Sequence, residues 1–173
     1  NQQGLIDRIQ QVTGGRNTCL YDAVAVYLSR IEGTTGRKVL VLFTDGEDSH
    51  SELTQMDVNK LVRSSPVTIY SIAISPDGVV TSQRAAKSRQ VLEHRADLTG
   101  GSVYAPGTYK DLPDIYDKII DELKGQYVIG FVPDKPSSDG RYHKLKVNVA
   151  RPGVNVRHRP GYTVGGEGEL VGS

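Results

Sequence analysis

Two uninterrupted apolar runs predict buried strands. Residues 39–43 (VLVLF) and residues 67–74 (VTIYSIAI) are each bounded by basic or turn-forming residues. Continuous apolar runs of this length are typical of strands that are covered on both faces, as in a parallel sheet. Residues 102–105 (SVYA) give a short third candidate.

The segments around these runs have helical periodicity. Apolar side chains recur every three to four positions in residues 20–31, 56–62, 82–98 and 112–123, and more weakly in residues 1–12. Helices that alternate with strands at this spacing are typical of parallel βαβ units. The pattern predicts an α/β fold with an open, mainly parallel sheet.

The pattern changes after Gly125. Residues 127–132 (YVIGFV) are strand-like, residues 143–149 alternate apolar and polar positions, and residues 154–157 form a further possible edge. They predict a C-terminal antiparallel hairpin or meander. We therefore divide the chain into an α/β domain over 1–125, an appended hairpin or meander packed on it over 126–164, and a flexible tail over 165–173.

The amino-acid composition of the chain limits the kinds of partner that we expect. The chain has 173 residues, 37% of them hydrophobic and 24% charged, with a formal net charge of +1. This balance gives no reason to expect nucleic acid as a partner, and no apolar run is long enough to predict membrane insertion. The single cysteine, Cys19, excludes an internal disulfide and any zinc site built from several cysteines.

The segment FTDGEDSH begins where the first strand ends. Ligands of open α/β sheets bind outside the carboxyl ends of the strands, so Asp45 is a candidate ligand and Gly46 allows a sharp turn after it. Glu47 and Asp48 follow in the loop. Mg²⁺ prefers oxygen ligands, and the hydroxyl of Thr18 would supply another. The alternatives are that Thr18 caps the helix that follows it and that the acidic loop is only solvated.

The order and spacing of four segments, GGRNTCLYDAV, VLVLFTDGEDSHS, VTIYSIAI and LTGGSVYAP, resemble a von Willebrand factor type A (VWA) domain. The closing segment, from LKGQYVIGF to RHRPGY, resembles the tail of bacterial "VWFA-related" proteins. The resemblance implies a Rossmann-like sheet flanked by helices and a metal-ion-dependent adhesion site for Mg²⁺ or Mn²⁺. It assigns Thr18 to the second metal loop and Asp45 to the third, with Gly46, Glu47 and Asp48 beside the bound partner.

The Asp-x-Ser-x-Ser motif of the family's first metal loop does not occur in this sequence. The resemblance therefore implies two ligands of five, Thr18 and Asp45, and weak or no metal binding by this chain. Either the chain is a C-terminal piece of a longer protein, which we favour, or it is a reduced domain without a working site. As a piece, it would expose one edge of the strand at residues 38–43.

The function that the resemblance implies is a non-enzymatic, protein-binding or adhesion module, exported from a bacterial cell to an extracellular or periplasmic location. An acidic side chain of the partner would complete the metal's coordination. One alternative is a metal-assisted hydrolase with Asp45 as nucleophile or ligand and His50 as base. The other is a metal-independent interaction domain that uses the basic residues of the hairpin region: Arg141, Lys144, Lys146, Arg151, Arg157 and Arg159.

Overall fold

In a computed structural model of the chain, residues 17–74, 83–133 and 140–163 are described. The elements, in chain order, are α1 (Leu20–Ile31), β1 (Lys38–Thr44), α2 (Gln55–Ser64), β2 (Val67–Ala73), α3 (Gln83–Thr99), β3 (Ser102–Tyr104), a 3-10 turn (Tyr109–Asp111), α4 (Leu112–Lys124), β4 (Tyr142–Lys144) and β5 (Gly161–Thr163). They agree with the predicted helices and with the three predicted parallel strands. The expected helix over 1–12 and tail over 165–173 lie outside the described residues.

The strands form two separate sheets. The first has the order β1-β2-β3, all parallel, with Lys38 opposite Val67 at one end and Thr44 opposite Ala73 at the other. The second is the antiparallel pair β4-β5, in which His143 lies opposite Tyr162. The predicted α/β class is confirmed, with a parallel sheet and a separate antiparallel hairpin.

Helices cover both faces of the parallel sheet. On one face, Ile69 of β2 packs with buried side chains from α1, α2 and α3, among them Val24 and Val58. On the other face, Ile72 packs against Ile115 of α4. Because β2 is the central strand and is apolar towards both faces, it anchors the core.

Local signals explain where the helices begin. The hydroxyl of Thr54 accepts the N–H of Asp57, and the carboxylate of Asp57 accepts the N–H of Thr54, so a capping box starts α2. Proline in the first turn of α4 has a backbone angle that already suits a helix. Both signals can be read from the sequence.

The C-terminal region differs from its prediction. Residues 127–132 form no strand and are exposed, with Tyr127 at 91% and Val128 at 88% of full exposure. Residues 154–157 do not pair with residues 143–149 as a ladder. Instead, the N–H of Val147 points to the ring of His158, at 3.4 Å from Nε2, and the ladder joins β4 to β5. Stacking of the His143 ring on Tyr162, at 5.3 Å between ring centroids, supports this register.

Candidate functional site

Backbone hydrogen bonds of Thr18 hold the loop before α1 against the acidic loop. Its carbonyl oxygen accepts the N–H groups of Ser49, at 2.9 Å, and His50, at 3.1 Å. Its own N–H donates to the Ser49 hydroxyl at 3.0 Å. These contacts fix Thr18 beside the segment that follows β1, although 31 positions separate Thr18 from Ser49.

The N-terminus of α1 is capped by the acidic loop. Cys19 occupies the N-cap position without a side-chain hydrogen bond, so the interpretation of Thr18 as the N-cap is wrong. Instead, the N–H of Tyr21 donates to Asp48 Oδ1 at 3.0 Å and to the Ser51 hydroxyl at 3.1 Å. Ser51 also donates its own hydroxyl proton to Asp48 at 2.6 Å. Asp48 is therefore a helix cap supplied from a distant loop.

The environment of Asp48 favours its ionised form. Burial alone would raise the pKa of its carboxyl group, but hydrogen bonds from the Ser51 side chain and from the N–H groups of Tyr21, Ser51 and Leu20 together lower that pKa. The positive end of the helix dipole acts in the same direction. The carboxylate of Asp48 thus accepts hydrogen bonds from the start of α1.

Asp22 makes the reciprocal contact from the helix to the loop. Its two carboxylate oxygens accept the N–H groups of Glu52, at 3.0 Å, and Leu53, at 3.1 Å. A carboxylate in the first turn of a helix is explained locally by the helix dipole, so the sequence gives no signal for this longer-range contact. Together, Asp22 and Asp48 clamp the acidic loop onto α1.

One carboxylate oxygen of Asp45 and the hydroxyl of Thr18 accept no hydrogen bond from the described residues. Asp45 is exposed, and its Oδ1 accepts the N–H of Glu47 at 3.0 Å. Gly46 is buried and has a φ of +82°, a conformation that favours glycine and turns the chain sharply at this point. Among the described residues, no hydrogen bond reaches Asp45 Oδ2 or the Thr18 hydroxyl.

Thr18 and Asp45 supply the types of oxygen atom that a magnesium site uses. Carboxylate and hydroxyl oxygens are suitable ligands for Mg²⁺ or Mn²⁺. However, the residues that the structure describes include no group of three or more histidine, cysteine, aspartate or glutamate side chains that could hold a metal ion. The donor type fits the ion, while Thr18 and Asp45 alone leave its coordination shell short.

Arg95 of α3 lies next to Tyr21 of α1. The sequence did not indicate it as a candidate residue. Its guanidinium lies over the ring of Tyr21, 4.5 Å from the centroid, and the residue is 0% exposed. Its three side-chain nitrogens have no hydrogen-bond partner among the described residues. Burial lowers the pKa of Arg95, although Tyr21 and Asp48 favour its charged form. Its place in a polar helix pattern gave no indication of burial.

His50 is held by its neighbour in the chain. Its Nδ1 lies 2.9 Å from the Ser49 hydroxyl, and the imidazole is exposed. Within the described part of the chain, no hydrogen bond or ion pair joins His50 to Asp45. The hydrolase alternative, with Asp45 as nucleophile and His50 as base, gains no support from these contacts.

Four of the basic residues in the hairpin region fall into two groups. Arg159 donates to the carbonyl oxygen of Val62 at 2.9 Å, and Arg157 pairs with Glu122 at 2.6 Å, so both tie the hairpin to the helices of the α/β domain. Lys144 and Lys146 are exposed and have no ion pair within the described ranges. The basic set is thus partly structural and partly open to solvent.

The comparisons with known proteins give one structural match. No protein-family model matches the sequence, and no curated protein matches it. A crystal structure of an uncharacterized membrane spanning protein from Vibrio fischeri matches with a TM-score of 0.39 and 15% identity, covering 72% of this chain and 67% of the other. A similarity this distant identifies neither a family nor a function.

The expected extracellular or periplasmic location is corrected. The structure reported above is described as that of a membrane spanning protein, so no comparison supports the expectation, and we withdraw it. Across residues 17–74, 83–133 and 140–163, no helix combines the length and the apolar character needed to cross a bilayer.

Proposed function

We propose that this chain is part of a non-enzymatic, protein-binding module of the VWA type. Its binding site is the surface formed by the loop at Thr18 and the acidic loop at Asp45. Mg²⁺ or Mn²⁺ binds there through the Thr18 hydroxyl and the Asp45 carboxylate, in a site that is incomplete in this chain. The bound metal presents an open coordination position to an acidic side chain of the partner.

One observation carries the proposal. Two loops that are distant in sequence are joined by hydrogen bonds, and each keeps an oxygen atom without a partner among the described residues: the Thr18 hydroxyl and Asp45 Oδ2. The nearby carboxylates of Asp48 and Asp22 instead accept the backbone N–H groups that join the acidic loop to α1. This division of roles favours Asp45 as the ligand.

The test is the effect of Mg²⁺ and Mn²⁺ on the melting temperature. An ion that binds only the folded state stabilises it by mass action, so we expect a small rise in the melting temperature of the parent chain. Asp45→Asn removes the charge but keeps an oxygen to accept the N–H of Glu47. We expect this substitution, and Thr18→Val, to abolish the rise.

Asp117→Asn is the matched control, because Asp117 is exposed on α4 and the same charge is lost there. The rise should persist in this variant. A rise that is equal in Asp45→Asn and in the parent would place the ion elsewhere. If the melting temperature of the parent did not rise with either ion, the proposed function of this chain would no longer include metal binding.

A further inference from the structure

The outer edge of β1 carries backbone groups that no described strand pairs with. Within the described ranges, β1 has β2 as its one neighbour in the sheet. The carbonyl oxygen of Thr44 faces β2, because it accepts the N–H of Ile74 at 3.0 Å. Alternate residues of a strand direct their backbone groups to opposite sides. Val39, Val41 and Phe43 therefore direct theirs to the outer edge.

The contact of Tyr27 with β1 leaves this edge able to pair. The hydroxyl of Tyr27 donates to the carbonyl oxygen of Val39 at 2.8 Å, which agrees with a carbonyl that points away from β2. A carbonyl oxygen has two lone pairs, so it can accept a second hydrogen bond. The side chains of β1 are all at least partly exposed, whereas most of those of β2 are buried.

Apolar side chains are exposed beside the same edge. Phe43 is 44% exposed, and its ring centroid lies 5.9 Å from that of Tyr116, which is 42% exposed. Ile120 follows one turn later on α4 and is 45% exposed. A strand that pairs with β1 would place its own side chains beside Phe43 on this face of the sheet.

The two ends of β1 carry opposite charges. Arg37 and Lys38 stand at its start, and Asp45 follows directly after its end. The guanidinium of Arg37 is held at this place by a hydrogen bond to the carbonyl oxygen of Leu123. A strand that is basic at one end and acidic at the other complements a reversed copy of itself. A parallel copy would bring like charges together, which is unfavourable.

We propose that the outer edge of β1 is the interface of a homodimer, in which two copies of the strand pair antiparallel about a two-fold axis at Val41. The seven residues of β1, Lys38–Thr44, are centred on Val41, so this register pairs the whole strand. Val41 lies opposite the partner's Val41, and Val39 lies opposite the partner's Phe43. The outward backbone groups of both strands then face each other, and the contact is the same on both copies, as two-fold symmetry requires.

The register is tested by disulfide trapping in a chain that carries Cys19→Ser, because the native thiol is exposed. Opposite residues of a hydrogen-bonded antiparallel pair have Cα atoms about 5.5 Å apart, a distance that a disulfide spans. We expect Val41→Cys to form a covalent dimer under mild oxidation. Val39→Cys is the matched control, since its two copies would lie about 13 Å apart and should not join. A mixture of Val39→Cys and Phe43→Cys should cross-link.

The orientation is tested by charge reversal, with the dissociation constant measured by sedimentation equilibrium. Arg37→Glu or Asp45→Lys alone places like charges opposite each other at both ends of the interface. We expect each to raise the dissociation constant about tenfold, because the pair occurs twice by symmetry. The double variant restores opposite charges and should recover the affinity of the parent. Recovery separates the effect of charge from the loss of the hydrogen bond between Arg37 and Leu123.

Three results would overturn the proposal: equal cross-linking of Val39→Cys and Val41→Cys, no cross-linking of Val41→Cys, or a double variant as weak as the single ones. A parent chain that is monomeric at every concentration would also overturn it. Hydrogen exchange at residues 38–44 would then assign the edge to another part of this chain if the amides are protected, and to a different protein if they are not.

The dimer does not depend on the proposed metal function. All measurements are made in EDTA, and the disulfide at Val41 involves neither Thr18 nor Asp45. A failure of metal binding therefore leaves the cross-linking result unchanged, and a failure of cross-linking leaves the effect of Mg²⁺ on the melting temperature unchanged.

Discussion

Arg95 is a charge buried without a hydrogen-bond partner in the described structure. Its guanidinium is fully covered and stacks on Tyr21. Taking a charge out of water costs free energy that only a well-placed partner returns, and replacement of buried charged groups by apolar ones of similar size is often neutral or stabilising. The contact with the Tyr21 ring offsets a part of that cost.

We therefore expect Arg95→Met to leave the free energy of unfolding unchanged or to raise it by about 1–4 kcal/mol. The measurement is urea unfolding, with an unchanged denaturant slope as evidence that both chains unfold alike. Arg89→Met is the control on the same helix, where an exposed ion pair with Glu93 should contribute at most about 1 kcal/mol. A loss of several kcal/mol in Arg95→Met would show that the guanidinium is paired in the folded protein.

At the scale of single residues, the sequence showed which side chains are charged. It did not predict which hydrogen bonds each of them makes. Asp45 and Asp48 lie in one short acidic run, yet Asp45 is exposed and Asp48 caps α1. The difference arises because Gly46 turns the chain between them and because Tyr21 presents its N–H from another element. Such contacts depend on tertiary packing, which local patterns do not encode.

Helix α1 depends on a neighbouring loop for its cap. Hydrogen bonds to the ionised carboxylate hold the pKa of folded Asp48 below its value in the unfolded chain. The stability from this contact is therefore complete above the unfolded pKa, near 4, and is lost as the pH falls through the lower, folded value. Acid should weaken the attachment of the loop to α1.

The substitution Asp48→Asn tests this dependence. At neutral pH we expect a loss of about 0.3–1 kcal/mol in the free energy of unfolding, because asparagine keeps an oxygen that can accept the N–H of Tyr21 but loses the charge that interacts with the helix dipole. Below about pH 4 the difference between the variant and the parent should shrink, because the parent's carboxylate becomes protonated. Urea unfolding at a series of pH values provides the measurement.

Asp117→Asn serves as the control for the loss of one negative charge at an exposed position on α4, away from the cap of α1. Asp57, whose pKa is also lowered, by its hydrogen bonds with Thr54, is present in all three chains and cancels in the comparison. A constant difference between Asp48→Asn and the parent down to pH 2 would contradict the assigned role of Asp48.

Helices and strands that bury a long apolar surface were predicted well. Short strands and a strand without a paired neighbour were not. The stripe of α4 and the apolar run of β2 each bury a continuous surface, so the pattern and the packing agree. Residues 127–132 have the composition of a strand, but a strand also needs a paired neighbour, which the described structure does not supply. The three-residue ladder of β4 and β5 is too short to produce a recognisable alternation.

In the described part of the chain, β1 is an edge strand of the parallel sheet. Within the described ranges, β1 pairs only with β2, as expected for a strand whose edge is uncovered. The hydroxyl of Tyr27 donates to the carbonyl oxygen of Val39 at 2.8 Å, and Phe43 is 44% exposed beside Tyr116. Exposed apolar edges of this kind are sites of association between chains.

We expect the chain to self-associate as its concentration rises. Phe43→Lys places a charge on the exposed edge, and it should shift the average mass towards that of the monomer. Sedimentation velocity at several concentrations measures this shift. Met56→Lys is the control, because Met56 is an exposed apolar residue of α2, away from the edge, and its substitution should leave association unchanged. A monomer at every concentration would contradict the expectation.

The cap of α1 also has a consequence for the order of folding. Asp48 lies 27 positions from the amide that it accepts, so the chain must close a long loop before the helix gains this contact. Loop closure has an entropic cost that must be met before such distant contacts stabilise anything. The first turn of α1 would therefore be completed late, and loss of the cap would chiefly accelerate unfolding while leaving the folding rate almost unchanged.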